Sequence, residues 1–184
     1  MNKALSTTAA AVALTAAAAA CGSGGGGQGG GDDTIVLGFS QVGAESGWRT
    51  ANTESIKAAA EEAGIELKFS DAQQQQENQI QAIRSFIQQD VDVIAFSPVV
   101  ESGWDTVLAE ARNAGIPVVL TDRAVETDQE DVYETFLGSD FVEEGRNAGR
   151  YVAEEFADSD EDVTIVELQG TTGSAPAIDR KEGF

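Results

Sequence analysis

The sequence predicts an α/β fold in which a parallel sheet carries helices on both faces. From Thr34 onward, short apolar segments alternate with stretches whose apolar residues recur at helical spacing. Segments such as "TIVLGF" and "VDVIAF" are apolar at nearly every position, which is typical of strands buried on both faces. A single helix between successive strands requires a crossover connection, so we expect the strands to run parallel.

The predicted elements follow one another in a regular order. The expected strands are residues 34–40, 65–70, 91–97, 116–121 and 135–138. The expected helix faces consist of Ile56, Ala59, Ala60 and Ala63, then Ile80, Ile83 and Ile87, then Val107, Leu108 and Ala111. Gly64 and Gly115 are expected to end the first and third of these helices, and the second ends near Asp90.

The pattern changes after Arg123, where the polar stretch "AVETDQEDVYE" precedes the short strand 135–138. A helix is expected from Phe141 to Phe156, then a strand in "VTIVELQG", then a loop and helix in "TTGSAPAIDRKEGF". We therefore divide the chain into an N-terminal α/β domain at 34–138 and the start of a second α/β domain at 139–184. The second part holds one strand, too little for a core of its own, so we expect a two-domain fold truncated in its second domain.

The first 33 residues do not fit this fold. Residues 1–20 have one cation, Lys3, followed by a short alanine-rich apolar run, as in a secretory signal peptide. The sequence "AAAC" ending at Cys21 resembles a bacterial lipobox, although Ala18 stands where leucine is usual. We expect a lipid on Cys21 and a flexible glycine-rich tether at 21–33. The alternative is an ordinary secretory signal followed by an unpaired thiol.

The charge balance excludes several kinds of partner. The chain has 32 acidic and 11 basic residues, which gives a formal net charge of −21. Such a surface repels nucleic acid and anionic membranes. The acidic residues are spread along helices and loops, which favours a solvated acidic surface.

Polar residues follow the ends of several predicted strands. In an open parallel sheet, ligands bind in the crevice beyond the carboxyl ends of the strands. The segments expected there are residues 40–49, Ser97 and Pro98, Asp122 and Arg123, and residues 169–174.

These segments contain the groups that recognise a sugar. The indole of Trp48 offers a flat apolar face, while the guanidinium groups of Arg49 and Arg123 and the carboxylate of Asp122 suit neighbouring hydroxyls. Two other interpretations stay open, because Trp48 is equally consistent with a packing role and adjacent Asp122 and Arg123 with a surface ion pair of little energy.

Nothing in the sequence points to catalysis, a metal or another cofactor. The chain has no histidine, and its single cysteine is the predicted lipidation site. The glycines of "LQGTTGSAP" lack the Lys-Ser/Thr of a P-loop, and those of "GFSQVGAESG" do not form a dinucleotide fingerprint. We interpret both sets as turns and expect no enzyme activity.

Five segments taken together resemble a known family. "LGFSQVGAESGWR", "QENQIQAIRSFI", "PVVESGWDTVL", "IPVVLTDR" and "VELQGTTGSAPAIDRKEGF" are similar, in order and spacing, to the sugar-binding proteins of bacterial ABC importers. These belong to the ribose-binding-like group with the type I periplasmic-binding fold. The resemblance covers residues 35–184 and implies two α/β domains that close on a monosaccharide, galactofuranose- or galactose-like.

The resemblance also implies roles for individual residues. Trp48 and Arg49 match ring-contacting positions, Asp122 and Arg123 match a hydroxyl-binding pair, and Arg180 matches an arginine from the second domain. Weaker candidates in the first loop are Gln41, Glu45 and Ser46.

The function that the resemblance implies is a lipid-anchored, monomeric receptor in the cell envelope, at the outer face of the cytoplasmic membrane or in the periplasm. It would deliver its sugar to an ABC permease and ATPase complex. An extracellular sugar-sensing domain of a chemoreceptor or sensor kinase is the alternative. A repressor core with the same fold is rejected because no basic helix-turn-helix precedes the first strand. A glycosidase would need a carboxylate pair at a working distance, for which Glu45 and Asp122 are the candidates.

Overall fold

The computed structural model describes residues 34–184. The predicted signal peptide, the predicted lipidation site at Cys21 and the glycine-rich tether lie outside the described residues and stay predictions.

Five strands and five helices make up this part of the chain. In order they are β1 (Val36–Gln41), α1 (Gly47–Glu62), β2 (Glu66–Asp71), α2 (Gln76–Gln88), β3 (Val93–Phe96), α3 (Asp105–Asn113), β4 (Val118–Asp122), β5 (Thr135–Gly138), α4 (Phe141–Glu155) and α5 (Ala175–Gly183). The alternation of strand and helix predicted from the sequence is confirmed for residues 34–138.

The sheet has the strand order β2-β1-β3-β4-β5, and all four pairings are parallel. The chain therefore extends the sheet first to one side of β1 and then, from β3 onward, to the other. This reversal leaves a crevice between the loops that follow β1 and β3, which is where ligands bind in sheets of this kind.

Helices cover both faces of the sheet, as predicted. On one face, α2 packs so closely that a side chain at Gly38 would collide with the ring of Phe86. The fully buried Trp104, at the start of α3, lies on the same face with its ring centroid 4.9 Å from that of Phe96. On the other face, Lys57 of α1 lies 4.4 Å from the ring centroid of Phe69 in β2.

The inward face of α1 differs from the predicted one. Ile56 and Ala60 are at least partly buried as expected, but Ala59 and Ala63 are exposed. The face continues instead toward the N-terminus through polar side chains that contact β1: Arg49, Asn52 and Thr53. A prediction that counted only apolar residues was wrong here because part of this interface is polar.

The strand predicted in "VTIVELQG" does not form. Residues 163–170 have no strand assignment and are exposed, with 94% of Leu168 accessible to solvent. Apolar alternation is not sufficient for a strand, because a strand also needs a neighbour to satisfy its backbone N–H and C=O groups. Within residues 34–184 no strand pairs with this segment.

Helices α4 and α5 pack chiefly on each other. Glycines allow their backbones to touch, because a side chain at Gly145 would collide with the carbonyl oxygen of Arg180 and one at Gly183 with that of Val142. The division of the chain into domains at residues 138 and 139 stays a prediction. None of the helices in residues 34–184 is both long and apolar enough to span a membrane.

Candidate functional site

A cleft of about 1140 Å³ lies at the carboxyl edge of the sheet. One wall is built from the loops after β1 and β4, and the other from α4, α5 and the segment between them. All the predicted ligand residues except Gln41 and Ser46 line it: Glu45, Trp48, Arg49, Asp122, Arg123 and Arg180.

Arg49 is the most buried charged group of the site, with 3% of its side chain exposed. It lies in the first turn of α1, whose N-cap, Ser46, accepts a hydrogen bond from the Arg49 N–H at 3.1 Å. Its Nη2 donates to Asp122 Oδ2 at 2.7 Å, and its Nε lies 3.4 Å from Glu45 Oε1. A buried guanidinium held by two carboxylates has a fixed orientation.

Gln41 lies behind Arg49 and outside the wall of the cleft. Its Oε1 accepts from Arg49 Nη1 at 3.2 Å, while its Nε2 donates to Asn52 Oδ1 at 2.9 Å and Thr53 Oγ1 at 3.0 Å. The side chain is fully buried. The structure therefore gives Gln41 a supporting contact with Arg49, and its predicted contact with a ligand stays untested.

Asp122 ends β4 in an unusual backbone conformation. Its φ is +64°, in the left-handed region, and the N–H of Arg123 donates to the carbonyl of Thr121 at 2.7 Å. These features define a three-residue turn with positive φ at its centre, which is rare and strained. Aspartate tolerates this region better than most residues do, and such strain is commonly found at functional sites. The turn brings the side chains of Asp122 and Arg123 into the same cleft.

Arg123 is held from behind by backbone carbonyls. Its Nη1 donates to the carbonyls of Pro98 at 3.4 Å and Val99 at 3.2 Å, in the loop after β3. Its Nε is buried and has no hydrogen-bond partner among residues 34–184; Asp122 Oδ2, at 3.6 Å, is beyond hydrogen-bond distance. One donor of this guanidinium is therefore unsatisfied, which is costly unless a ligand or water accepts it.

The two arginines and two carboxylates of this wall form a closed ring of alternating charge. Asp122 Oδ2 contacts Arg49 and faces Arg123, and Glu45 Oε1 lies 3.4 Å from Arg49 Nε and 4.0 Å from Arg123 Nη2. Each carboxylate uses one oxygen in these contacts, which leaves Asp122 Oδ1 and Glu45 Oε2 as acceptors. We refer to these four side chains as the charge ring.

Within the charge ring, burial acts most clearly on Arg123. It lowers the pKa of Arg123, and the positive charge of Arg49 lowers it further, whereas Asp122 and Glu45 raise it. An arginine remains protonated under such a shift. The carboxylates therefore compensate for the cost of burying two like charges side by side.

Trp48 lies beside the charge ring at the surface of the cleft. Its side chain is 58% exposed, and its ring centroid is 4.8 Å from Arg49 Cζ. A packing role, the alternative left open by the sequence, does not account for so large an apolar surface left in solvent. The indole is available to a ligand entering the cleft.

Arg180 lies on the opposite wall, in α5. Its Nε donates to Glu144 Oε2 of α4 at 2.9 Å, its Nη2 lies 2.8 Å from the same oxygen, and its Cζ lies 4.5 Å from the ring centroid of Phe141. Arg180 is near enough to Arg123 for its charge to contribute to lowering the pKa of Arg123. The two walls thus present arginines toward a shared space.

Sequence reasoning missed two supporting residues. Gln79 of α2 is fully buried; its Nε2 donates to the carbonyl of Ser97 at 2.7 Å and its Oε1 accepts from the N–H of Val99 at 2.8 Å. It thereby fixes the loop whose carbonyls hold Arg123. Its position four residues before Ile83, on an apolar helix face, was an available signal. Glu144, the partner of Arg180, had no comparable signal. No group of side chains in the described part of the chain is arranged to hold a metal ion.

The chain has a parallel sheet with a charged cleft at its carboxyl edge, and helices α4 and α5 form the opposite wall of that cleft. This architecture is typical of ligand-binding proteins. The chain belongs to the periplasmic binding protein domain family, whose model matches residues 37–184.

Two proteins similar to this chain have a sugar in their names or titles. The galactofuranose-binding protein YtfQ of Escherichia coli (strain K12) is 49% identical over 150 residues, which are 82% of this chain and 46% of that protein. A Mycobacterium smegmatis protein solved in complex with β-D-fucofuranose has 69% identity and a TM-score of 0.79, covering 82% of this chain and 49% of that one.

Two further solved structures are similar over the same region. The binding component of the arabinose ABC transporter from Shewanella sp. ANA-3, bound to L-arabinofuranose, has 52% identity and a TM-score of 0.75, covering 81% of this chain and 48% of that one. The fructose-binding periplasmic domain of the hybrid two-component system BT1754 has 30% identity and a TM-score of 0.70, covering 82% and 48%. The chain spans about half the length of the curated relatives that it matches.

Proposed function

We propose that the protein is the sugar-binding component of an ABC importer and that its cleft holds a monosaccharide. The observation that carries this proposal is the charge ring beside an exposed indole. Fixed guanidinium donors alternate with carboxylate acceptors, and a flat apolar surface lies next to them. Sugars present alternating donors and acceptors on a ring with apolar C–H faces, so this arrangement complements them.

The balance of charge in the cleft favours a neutral ligand. The cationic residues that line it are matched in number by acidic ones: Arg49, Arg123, Arg180 and Lys181 against Glu45, Asp122, Glu144 and Glu167. An anionic sugar would need an excess of positive charge. Hydroxyl groups instead gain charge-assisted hydrogen bonds from both kinds of residue without adding a charge of their own.

The relatives favour the furanose form of the sugar. Three proteins with 49–69% identity have names that refer to galactofuranose, fucofuranose or arabinofuranose. We therefore propose a furanose of the galactofuranose type, in agreement with the galactofuranose- or galactose-like ligand expected from the sequence.

The proposed role in transport is supported by one of these relatives and by the sequence of the N-terminus. The Shewanella relative is a component of an ABC transporter, which supports delivery of the sugar to a permease and ATPase complex. The lipobox-like sequence supports an anchor at Cys21 and a location in the cell envelope. We propose that the protein acts as a monomer. We also propose that it is not an enzyme, since Glu45 and Asp122, the two carboxylates considered for a glycosidase, both pair with Arg49.

Isothermal titration calorimetry on the full-length protein tests this function. D-Galactose, D-fucose and L-arabinose, whose solutions contain furanose forms, are compared with methyl β-D-galactopyranoside, which is locked as a pyranose. We expect saturable heat with at least one of the free sugars and none with the locked pyranoside. Binding of the pyranoside as tight as that of D-galactose would contradict the choice of furanose, and no binding of any sugar would contradict the proposed function.

A sugar-sensing domain is the second candidate, and one observation favours it. A neighbour with 30% identity is the periplasmic domain of a two-component system. Deletion of the gene separates the candidates: an importer component is needed for uptake of radiolabelled sugar, whereas a sensor domain is needed for a chemotactic or transcriptional response and leaves uptake intact.

A further inference from the structure

Arg180 is a long, half-exposed charged side chain that lines the cleft. It is 51% exposed, so packing alone does not fix the orientation of its guanidinium. Holding a flexible arginine in one rotamer has a cost in side-chain entropy. If Arg180 contacts a ligand, the affinity for that ligand is higher when contacts within the protein already fix the Arg180 side chain.

The contacts of Arg180 with α4 restrict it to one orientation. Glu144 Oε2 accepts from Nε and lies 2.8 Å from Nη2, so the carboxylate occupies one edge of the guanidinium. Phe141 supports its face, with Cζ 4.5 Å from the ring centroid. Within residues 34–184, Nη1 has no hydrogen-bond partner, and both Arg180 and Glu144 line the cleft.

The backbone beneath this pair is also fixed. The residue after Glu144 is Gly145, where the backbone of α4 touches that of α5 at Arg180 itself. The same turn of α4 therefore supplies both the close approach and the carboxylate, so the backbone positions that carry Glu144 and Arg180 are held near each other.

A neighbouring ion pair on the same helix provides a comparison. Glu143, one residue earlier, pairs with Arg146 and Arg150 of α4 and does not line the cleft. Both glutamates are similarly exposed, at 41% and 43%. Exposed pairs of this kind contribute little to stability. The difference between them is that Glu144 acts across the two helices on an arginine of the cleft.

We propose that Glu144 is a positioning residue for the sugar site: it occupies the Nε edge of Arg180 so that the opposite edge is presented to the ligand. This inference rests on the proposed function. It requires that Glu144 act through Arg180 and not through the sugar directly.

A double-mutant cycle tests the proposal in the full-length protein. Affinity for D-galactose, D-fucose and L-arabinose is measured by calorimetry for E144Q, R180M and the double variant, with E143Q as the matched control. We expect E144Q to weaken binding on the order of tenfold and E143Q to leave it unchanged, while E144Q adds no further loss in the R180M background.

Each other outcome overturns a defined part of the reasoning. Parental affinity in E144Q overturns the positioning role. Equal losses from E144Q in both backgrounds show that Glu144 acts independently of Arg180 and overturn it as well. A parent protein that binds none of the sugars overturns the proposed function, and the positioning role with it.

A second variant keeps the proposal testable if E144Q does not fold. R180K retains the positive charge but cannot present a planar edge to Glu144 while another edge faces the cleft. We expect R180K to lose as much affinity as R180M, and parental affinity in R180K would overturn the positioning role.

Discussion

Replacing Asp122 with asparagine removes one negative charge from the charge ring while keeping its shape. Asparagine also tolerates the left-handed conformation that Asp122 adopts, at φ +64°, so the turn after β4 is preserved. The substitution therefore isolates the contribution of the carboxylate. Its main structural consequence falls on Arg49, whose shortest contact is the 2.7 Å bond to Asp122.

The magnitude follows from the surroundings of Arg49. Removing one partner of a buried ion pair typically costs about 3–5 kcal/mol, because the remaining charge is buried and uncompensated. Arg49 is 3% exposed, which places it in that class, but Asp122 is 22% exposed, so water screens part of the interaction. Glu45 and Gln41 also retain their contacts with Arg49. We therefore expect the free energy of unfolding to fall by about 2 kcal/mol.

Urea unfolding of the full-length protein, followed by far-ultraviolet circular dichroism, measures this change. E143Q serves as the control, since it removes a carboxylate from an exposed ion pair and is expected to leave the unfolding free energy nearly unchanged. Asp122→Asn should also abolish measurable sugar binding. If Asp122→Asn were as stable as E143Q, the charge ring would not be the coupled buried unit described above.

Three further predictions concern other parts of the molecule. Trp48→Ala should weaken sugar binding by about 1–3 kcal/mol through lost ring contact. Because Trp48 is 58% exposed, the melting temperature without sugar should not change. Gly145→Ala should lower both the melting temperature and the sugar affinity, because the added methyl group collides with the backbone of Arg180. Helix propensity alone would give equal or raised stability, and that result would show that α4 and α5 are not in contact. Burial and two nearby carboxylates raise the pKa of Glu101, so ionised Glu101 destabilises the fold and stability falls as pH rises through that pKa. Glu101→Gln should accordingly raise the melting temperature at neutral pH but not in acid, and an equal effect at both would point to packing instead of charge.

The sheet and its helices were predictable because burial on both faces leaves a clear signal. The segments "TIVLGF" and "VDVIAF", which contain most of β1 and all of β3, are apolar at nearly every position, and apolar residues recur at helical spacing in the stretches between the strands. The order β2-β1-β3-β4-β5 was not predictable from such patterns, because pairing depends on contacts distant in sequence. The segment 163–170 has a composition that suits a strand, but composition does not supply a pairing partner.

The candidate site was predictable in position but not in its internal contacts. Trp48, Arg49, Asp122 and Arg123 lie at or after the ends of β1 and β4, and parallel strands bring those ends to one edge. Which carboxylate pairs with which arginine depends on side-chain geometry that spacing does not define. The three-residue turn at Asp122 likewise has no signature in the sequence, because it uses an aspartate where a glycine would have been recognised.

The two tryptophans of the chain lie at opposite extremes of exposure, and this distribution makes the protein its own optical probe. Trp104 is fully buried against Phe96 and donates its indole N–H to the carbonyl of Val100 at 2.7 Å, whereas Trp48 is largely in water at the cleft. Indole emission shifts to shorter wavelength when water is displaced. A sugar that covers Trp48 should therefore move one component of the emission spectrum while the other stays constant as an internal reference. Occupancy of the cleft should be measurable without any label.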